Sequence, residues 1–137
     1  MKTKKSIVCI IMALSLIIGA STSALAAESD VWARWYTGNA GSANGKHNGV
    51  YHHLDSGNAY LSGYVNGATT QYPVVAVLYE DKILFDKKYG TVNIKNENYN
   101  TFQIGTNVVD GDKYYLHIGG GTHDTMHTFE GTLSNTK

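Results

Sequence analysis

Three histidines fall within eleven residues of HIGGGTHDTMH, His117 to His127. Imidazole is both a general base and a metal ligand, so the segment invites a catalytic reading. His123-Asp124-Thr125-Met126-His127 has the spacing of the zinc-protease motif H-E-x-x-H. That motif needs a helix, where residues i and i+4 share a face at short range, and a glutamate as base. Here three glycines precede the segment, Thr128, Phe129, Gly131 and Thr132 follow, and Asp124 replaces the glutamate. In a strand, residues four apart share a face but stand roughly 13 Å from each other. The protease reading fails on that distance.

A turn centred on Gly121-Thr122-His123 predicts instead a final hairpin, with His117 facing His127, Tyr115 facing Phe129 and Ile118 facing Met126. Cross-strand Cβ atoms lie roughly 5 Å apart, close enough for two imidazoles to share a metal. Zinc would need a third ligand and a fourth group. The metal candidates are therefore His117, His127 and His123, with Asp124, His52 or His53 as further donors. The competing and preferred reading is a solvated sheet face that carries polar side chains. No cofactor is expected; weak zinc at the histidines, or weak calcium through Asp110 and Asp112, is the most these residue types allow.

Other catalytic sets are not evident. His52 and His53 are adjacent, so in a strand they point to opposite faces. Ser42, Ser56, Ser62 and Ser134 lack a nucleophile-elbow context. Glu80, Asp81, Asp110 and Asp112 sit in turn-like sequence, where acids are usually solvated. An enzyme is not expected.

Aromatic residues offer a different chemistry. The chain holds ten Tyr, two Trp and three Phe, all beyond residue 26. Rings with polar tips suit wet interfaces with sugars or proteins. The candidate binding residues are Trp32, Trp35, Tyr36, Tyr60, Tyr64 and Tyr115. Trp32 and Tyr36 would share one strand face and Trp35 the other. The Gly/Asn-rich loop 38–49 is a further candidate contact, since long loops in compact domains tend to be functional or mobile.

The elements that position these residues read as strands. Nothing shows a sustained helical period, and short β-branched and aromatic runs alternate with Gly, Asn and Asp turns. The runs are 31–37, 50–54, 59–65, 72–80, 82–89, 91–94, 99–105, 113–120 and 125–133. The 72–80 run, YPVVAVLYE, is nearly all apolar, which suits a central strand, with Pro73 tolerated at its start. In 82–89, Ile83 and Phe85 alternate with Lys82, Leu84 and Asp86, which predicts its hairpin partner. DGD at 110–112 is a strong turn. Roughly eight strands at short spacing predict a single all-β, antiparallel β-sandwich of jelly-roll type over residues 27–137.

Residues 1–26 read as a secretory signal peptide: Lys2, Lys4 and Lys5, an apolar run from Ile7 to Ile18, then Ala24-Leu25-Ala26. The run is too short for a comfortable membrane span. Cys9, the only cysteine, lies inside it, so the processed chain would carry no disulfide or lipid anchor, as suits a Gram-positive secreted protein. Removing 26 of 137 residues leaves 111, with 8 basic against 11 acidic residues. No basic patch invites nucleic acid, and no basic amphipathic helix suggests membrane insertion after cleavage.

Residues 58–133 resemble the bacterial pre-peptidase C-terminal domain, a jelly-roll module of secreted proteins. The matching pieces are Leu78-Tyr79-Glu80, beside that family's LYD hairpin, and Gly111-Asp112-Lys113-Tyr114-Tyr115-Leu116, beside its G-x-Y-Y-L strand. Val74-Val75-Ala76 stands where the family has an aspartate. The resemblance implies a sandwich with an accessory, non-catalytic role and transfers no site residue. The expected function is a secreted binding module for an extracellular glycan or protein at the bacterial cell surface. The alternatives are an antimicrobial protein or enzyme inhibitor and, behind these, a small metal-dependent hydrolase.

Overall fold

The computed structural model describes residues 27–37 and 49–137. The expected signal peptide and nearly all of the 38–49 loop lie outside the described residues. The eight strands are β1 (Glu28–Tyr36), β2 (His52–Leu54), β3 (Gly57–Val65), β4 (Val74–Glu80), β5 (Lys87–Ile94), β6 (Asn100–Val108), β7 (Gly111–Gly120) and β8 (Met126–Ser134). They form two four-stranded sheets, β1-β8-β3-β6 and β2-β7-β4-β5. Among the described residues there is no helix.

The pairs β1·β8, β2·β7, β3·β6 and β4·β5 are all antiparallel. This nesting is that of one long hairpin rolled upon itself, the jelly-roll arrangement. The expected all-β sandwich is the one observed.

Period-two alternation builds the core. On β1, Val31, Ala33 and Trp35 point inward while Trp32, Arg34 and Tyr36 point out. On β4, Val74, Ala76 and Leu78 are fully buried. Across the sandwich they meet the layer that includes Leu61, Ile104, Phe129 and Leu133. Each large apolar side chain removed from water contributes about 1.5–3 kcal/mol. As its apolarity suggests, β4 is central, between β5 and β7.

Two local expectations are overturned. The first is the β7–β8 hairpin. β7 pairs with β2 and β4, whereas β8 pairs with β1 and β3, so the 121–125 turn crosses between sheets. His117 faces Val77, Tyr115 faces Tyr79 and Ile118 faces Ala76. His127 faces Trp35 and Phe129 faces Ala33. Rolling the chain into a jelly roll sends strands seven and eight to opposite layers, which rules out that hairpin.

The second is the strand at 82–89. Residues 81–86 form the β4–β5 connection, and β5 starts at Lys87, absorbing the 91–94 run. The apolar alternation of Ile83 and Phe85 imitates a strand, yet both side chains, with Leu84, are fully exposed.

Candidate functional site

The three candidate metal ligands do not converge. His117 stands half-buried on the outer face of the second sheet, beside Val75 and Val77. His123 is exposed in the turn, its ring edge-on to Tyr72 at 4.9 Å. His127 points inward and is completely buried.

Protein groups use both His127 ring nitrogens. Nδ1 lies 2.9 Å from the Asn66 carbonyl, and Nε2 lies 2.8 Å from Thr37 Oγ1 and 2.9 Å from the Thr122 carbonyl. The Thr37 hydroxyl in turn donates to the Thr122 carbonyl, closing a small network around the ring. Its face stacks on Trp35 at 5.4 Å, and Trp35 Nε1 donates to the Gly120 carbonyl at 2.8 Å. A Cβ at Gly121 would lie 2.7 Å from His127 Cε1, and φ there is +94°. One glycine of the triplet thus makes room for this ring in a backbone conformation that L side chains rarely adopt. The histidine-rich segment is a structural plug at one end of the sandwich.

A different histidine gathers carboxylates. On β2, His53 Nδ1 lies 2.5 Å from Asp112, and Nε2 lies 3.2 Å from Asp55 and 3.5 Å from Asp110. Hydrogen bonding of the ring to the carboxylates of Asp112, first, and Asp55, second, raises the His53 pKa above its ordinary value. One donor atom each from His53, Asp55 and Asp110 lies within 4.8 Å of the others, a set that could hold a divalent cation. The group is solvent-exposed. Its neighbour His52 faces the core, with Nδ1 on Ser29 Oγ at 2.8 Å, and burial lowers its pKa. As strand alternation predicts, the two histidines point to opposite sides.

The outer face of the first sheet is built differently. Trp32 on β1 faces Glu130 on β8, and Glu130 faces Tyr64 on β3. All three are exposed, Trp32 at 59% and Tyr64 at 57%. Two strand spacings of ~4.8 Å place the backbones of Trp32 and Tyr64 about 9.6 Å apart, with Glu130 between them. Tyr99, 53% exposed, extends the row, its ring edge-on to Tyr64 at 4.9 Å.

Polar rows flank the rings. On one side Arg34 faces Thr128, whose N–H donates to Asn66 Oδ1. On the other, Thr132 faces Ser62, which shares a 2.9 Å hydroxyl bond with Thr101. Tyr36 lies further along β1 opposite Met126, both exposed.

Of the aromatic candidates, Trp32, Tyr36 and Tyr64 are thus exposed on one face, with Tyr60 half-buried on the same strand side as Tyr64. Trp35 and Tyr115 are buried. Strand parity in β1 had already separated Trp32 and Tyr36 from Trp35. Sequence reasoning missed Tyr99, whose ring reaches Tyr64 on another strand, and Glu130, whose place between two rings is set by pairings between distant strands.

Comparison with protein-family models and with curated proteins found no match to this chain.

Proposed function

We propose that this chain is a secreted, non-enzymatic binding module that stacks an extracellular glycan on the outer face of its first sheet. The observation that carries the reading is the Trp32–Glu130–Tyr64 row with Tyr99 at its end. Sugars present apolar C–H faces edged by hydroxyls. A ligand of that kind needs flat rings for the faces and polar side chains between and beside them for the hydroxyls. Glu130 supplies the acceptor between the rings, Arg34 a donor, and Thr132 and Thr101 hydroxyls that do either. Rings spaced by two strands suit an extended oligosaccharide better than a single sugar.

Export supports the same reading, since the Ala24-Leu25-Ala26 signal would deliver the domain to the cell surface, where glycans are abundant. The test is a glycan array followed by calorimetry on its hits. Trp32→Ala with Tyr64→Ala should weaken binding at least tenfold, the loss of about 1.4 kcal/mol or more that one well-buried aromatic contact supplies. Unchanged affinity in the double variant would remove this face from the account.

A further inference from the structure

The most exposed apolar residues of the described chain are three in a row. Ile83, Leu84 and Phe85 are 103%, 83% and 86% exposed, at the tip of the connection between β4 and β5. Scattered surface apolars need no explanation, but a contiguous cluster does. Three large side chains left in water here contribute nothing to the fold.

The charges around the tip are sorted. Glu80, Asp81 and Asp86 are turned to the body of the sandwich, where each accepts a hydrogen bond from a tyrosine hydroxyl: Tyr89 to Glu80 at 2.9 Å, Tyr51 to Asp81 at 2.7 Å and Tyr115 to Asp86 at 2.7 Å. Lysines surround them on the exposed surface. Lys82, Lys87 and Lys88 flank the tip and are exposed. Lys113 joins them across the shallow cleft that it lines with Asp81, Lys82 and Ile83. Lys82 also pairs with Glu80, and the Lys87 ammonium lies over the Tyr89 ring at 4.3 Å. Beyond residue 26 the chain has eight basic residues; four collar this tip, the others being Arg34, Lys46, Lys95 and Lys137.

We propose that Ile83-Leu84-Phe85 is a membrane-docking tip that inserts into an anionic lipid surface, with the lysine collar on the headgroups. Shape and charge select this occupant. All three consecutive side chains are open to solvent, each at 83% or more. A flat or grooved protein surface would cover one or two of them, whereas fluid hydrocarbon surrounds the tip on every side. A ring of lysines just behind an apolar tip matches the level of anionic headgroups, with stems in the apolar layer and ammonium groups in the polar one. No basic amphipathic helix is needed; the fold gathers lysines that the sequence places at 82, 87, 88 and 113. The proposal does not depend on the glycan reading, because the tip and the aromatic row belong to different sheets.

The test is sedimentation with vesicles of phosphatidylglycerol and phosphatidylcholine, and with phosphatidylcholine alone. The secreted chain should bind the anionic vesicles, and bind them more weakly in high salt. The triple variant Ile83→Ser, Leu84→Ser, Phe85→Ser touches only exposed side chains, so the fold should survive. Its vesicle affinity should fall about 1,000-fold or more, as removal of three buried apolar side chains requires. Lys87→Glu with Lys88→Glu should weaken binding to anionic vesicles at least tenfold. Glycan affinity should be the same in all of these proteins. Three outcomes overturn the proposal: a wild-type chain that ignores both kinds of vesicle, a triple variant that binds like wild type, or concentration-dependent self-association in the absence of lipid that the triple variant abolishes.

Discussion

The outer faces of the two sheets both carry aromatic rings, and they use them in opposite ways. On the second sheet Tyr79 stacks on Tyr115 at 5.3 Å, and Tyr51 meets Tyr115 edge-on at 6.4 Å. The Tyr115 and Tyr51 hydroxyls are anchored on Asp86 and Asp81. On the first sheet Trp32, Tyr64 and Tyr99 stay more than half exposed, and the one ring contact among the pairs described there is Tyr64 on Tyr99. Rings that stack on one another and tie down their hydroxyls belong to the fold. Rings that stay more than half exposed, with a carboxylate between two of them, are the ones the proposed function assigns to a ligand.

The largest effect expected from this contrast separates the two tryptophans of β1, three residues apart on opposite faces. Trp35→Ala removes a buried indole from the core and should cost about 4 kcal/mol of stability. Trp32→Ala should change stability by no more than about 0.5 kcal/mol while weakening glycan binding about tenfold. Chemical denaturation of both variants checks the pair, and similar stability losses would break the distinction between inner and outer rings.

Next in size is His127→Ala. It removes a fully buried ring, its hydrogen bonds and its stacking on Trp35, and should cost about 3 kcal/mol. His117→Ala, half-exposed on the second sheet, should stay within about 0.5 kcal/mol. A mild His127→Ala would show that this ring is not the plug described above.

A smaller difference should separate the two tyrosine sets. Tyr115→Phe loses the hydroxyl bond to Asp86 and should cost about 1 kcal/mol, whereas Tyr64→Phe should be neutral for stability. Equal values would mean that the second sheet's rings are no more committed to the fold than the first's.

The smallest effect is in pH. Burial lowers the His52 pKa, so the unfolded chain takes up a proton more readily than the folded one. The stability His52 contributes is present above its unfolded pKa of about 6.5 and is lost as pH falls through the lower folded value. His53 has the opposite sign: its raised folded pKa adds stability below about 6.5 that disappears as pH rises through that folded value. His52→Asn should therefore flatten the loss of melting temperature between neutral and mildly acidic pH, and His53→Asn should steepen it. The same direction in both variants would contradict the opposed environments of these neighbours.

Much of this was legible in the chain itself. Alternation along β1 and the apolar run of β4 established an antiparallel sandwich and told Trp32 from Trp35. What stayed hidden depends on which strands meet. Pairing β1 with β8 and β3 with β6 joins residues far apart in sequence, and local periodicity carries no record of it. For that reason the histidine hairpin was a local inference that the rolled topology overrides. Glu130 could not be placed between Trp32 and Tyr64, nor Asp110 and Asp112 beside His53. At 82–86 the alternation was real but its cause was different: Ile83 and Phe85 face solvent with Leu84 between them, so the pattern records no buried face.

The most direct test of the proposed glycan-binding face uses the two indole N–H resonances. Trp35 Nε1 donates to the Gly120 carbonyl inside the protein, whereas Trp32 is open on the outer face. Titration of a glycan hit into labelled protein, followed by two-dimensional NMR, should shift the Trp32 indole signal progressively, along with the Tyr64 and Glu130 amides, and leave the Trp35 indole in place. Saturable binding that leaves Trp32 unmoved, or shifts only Trp35 and the second sheet, would contradict the account.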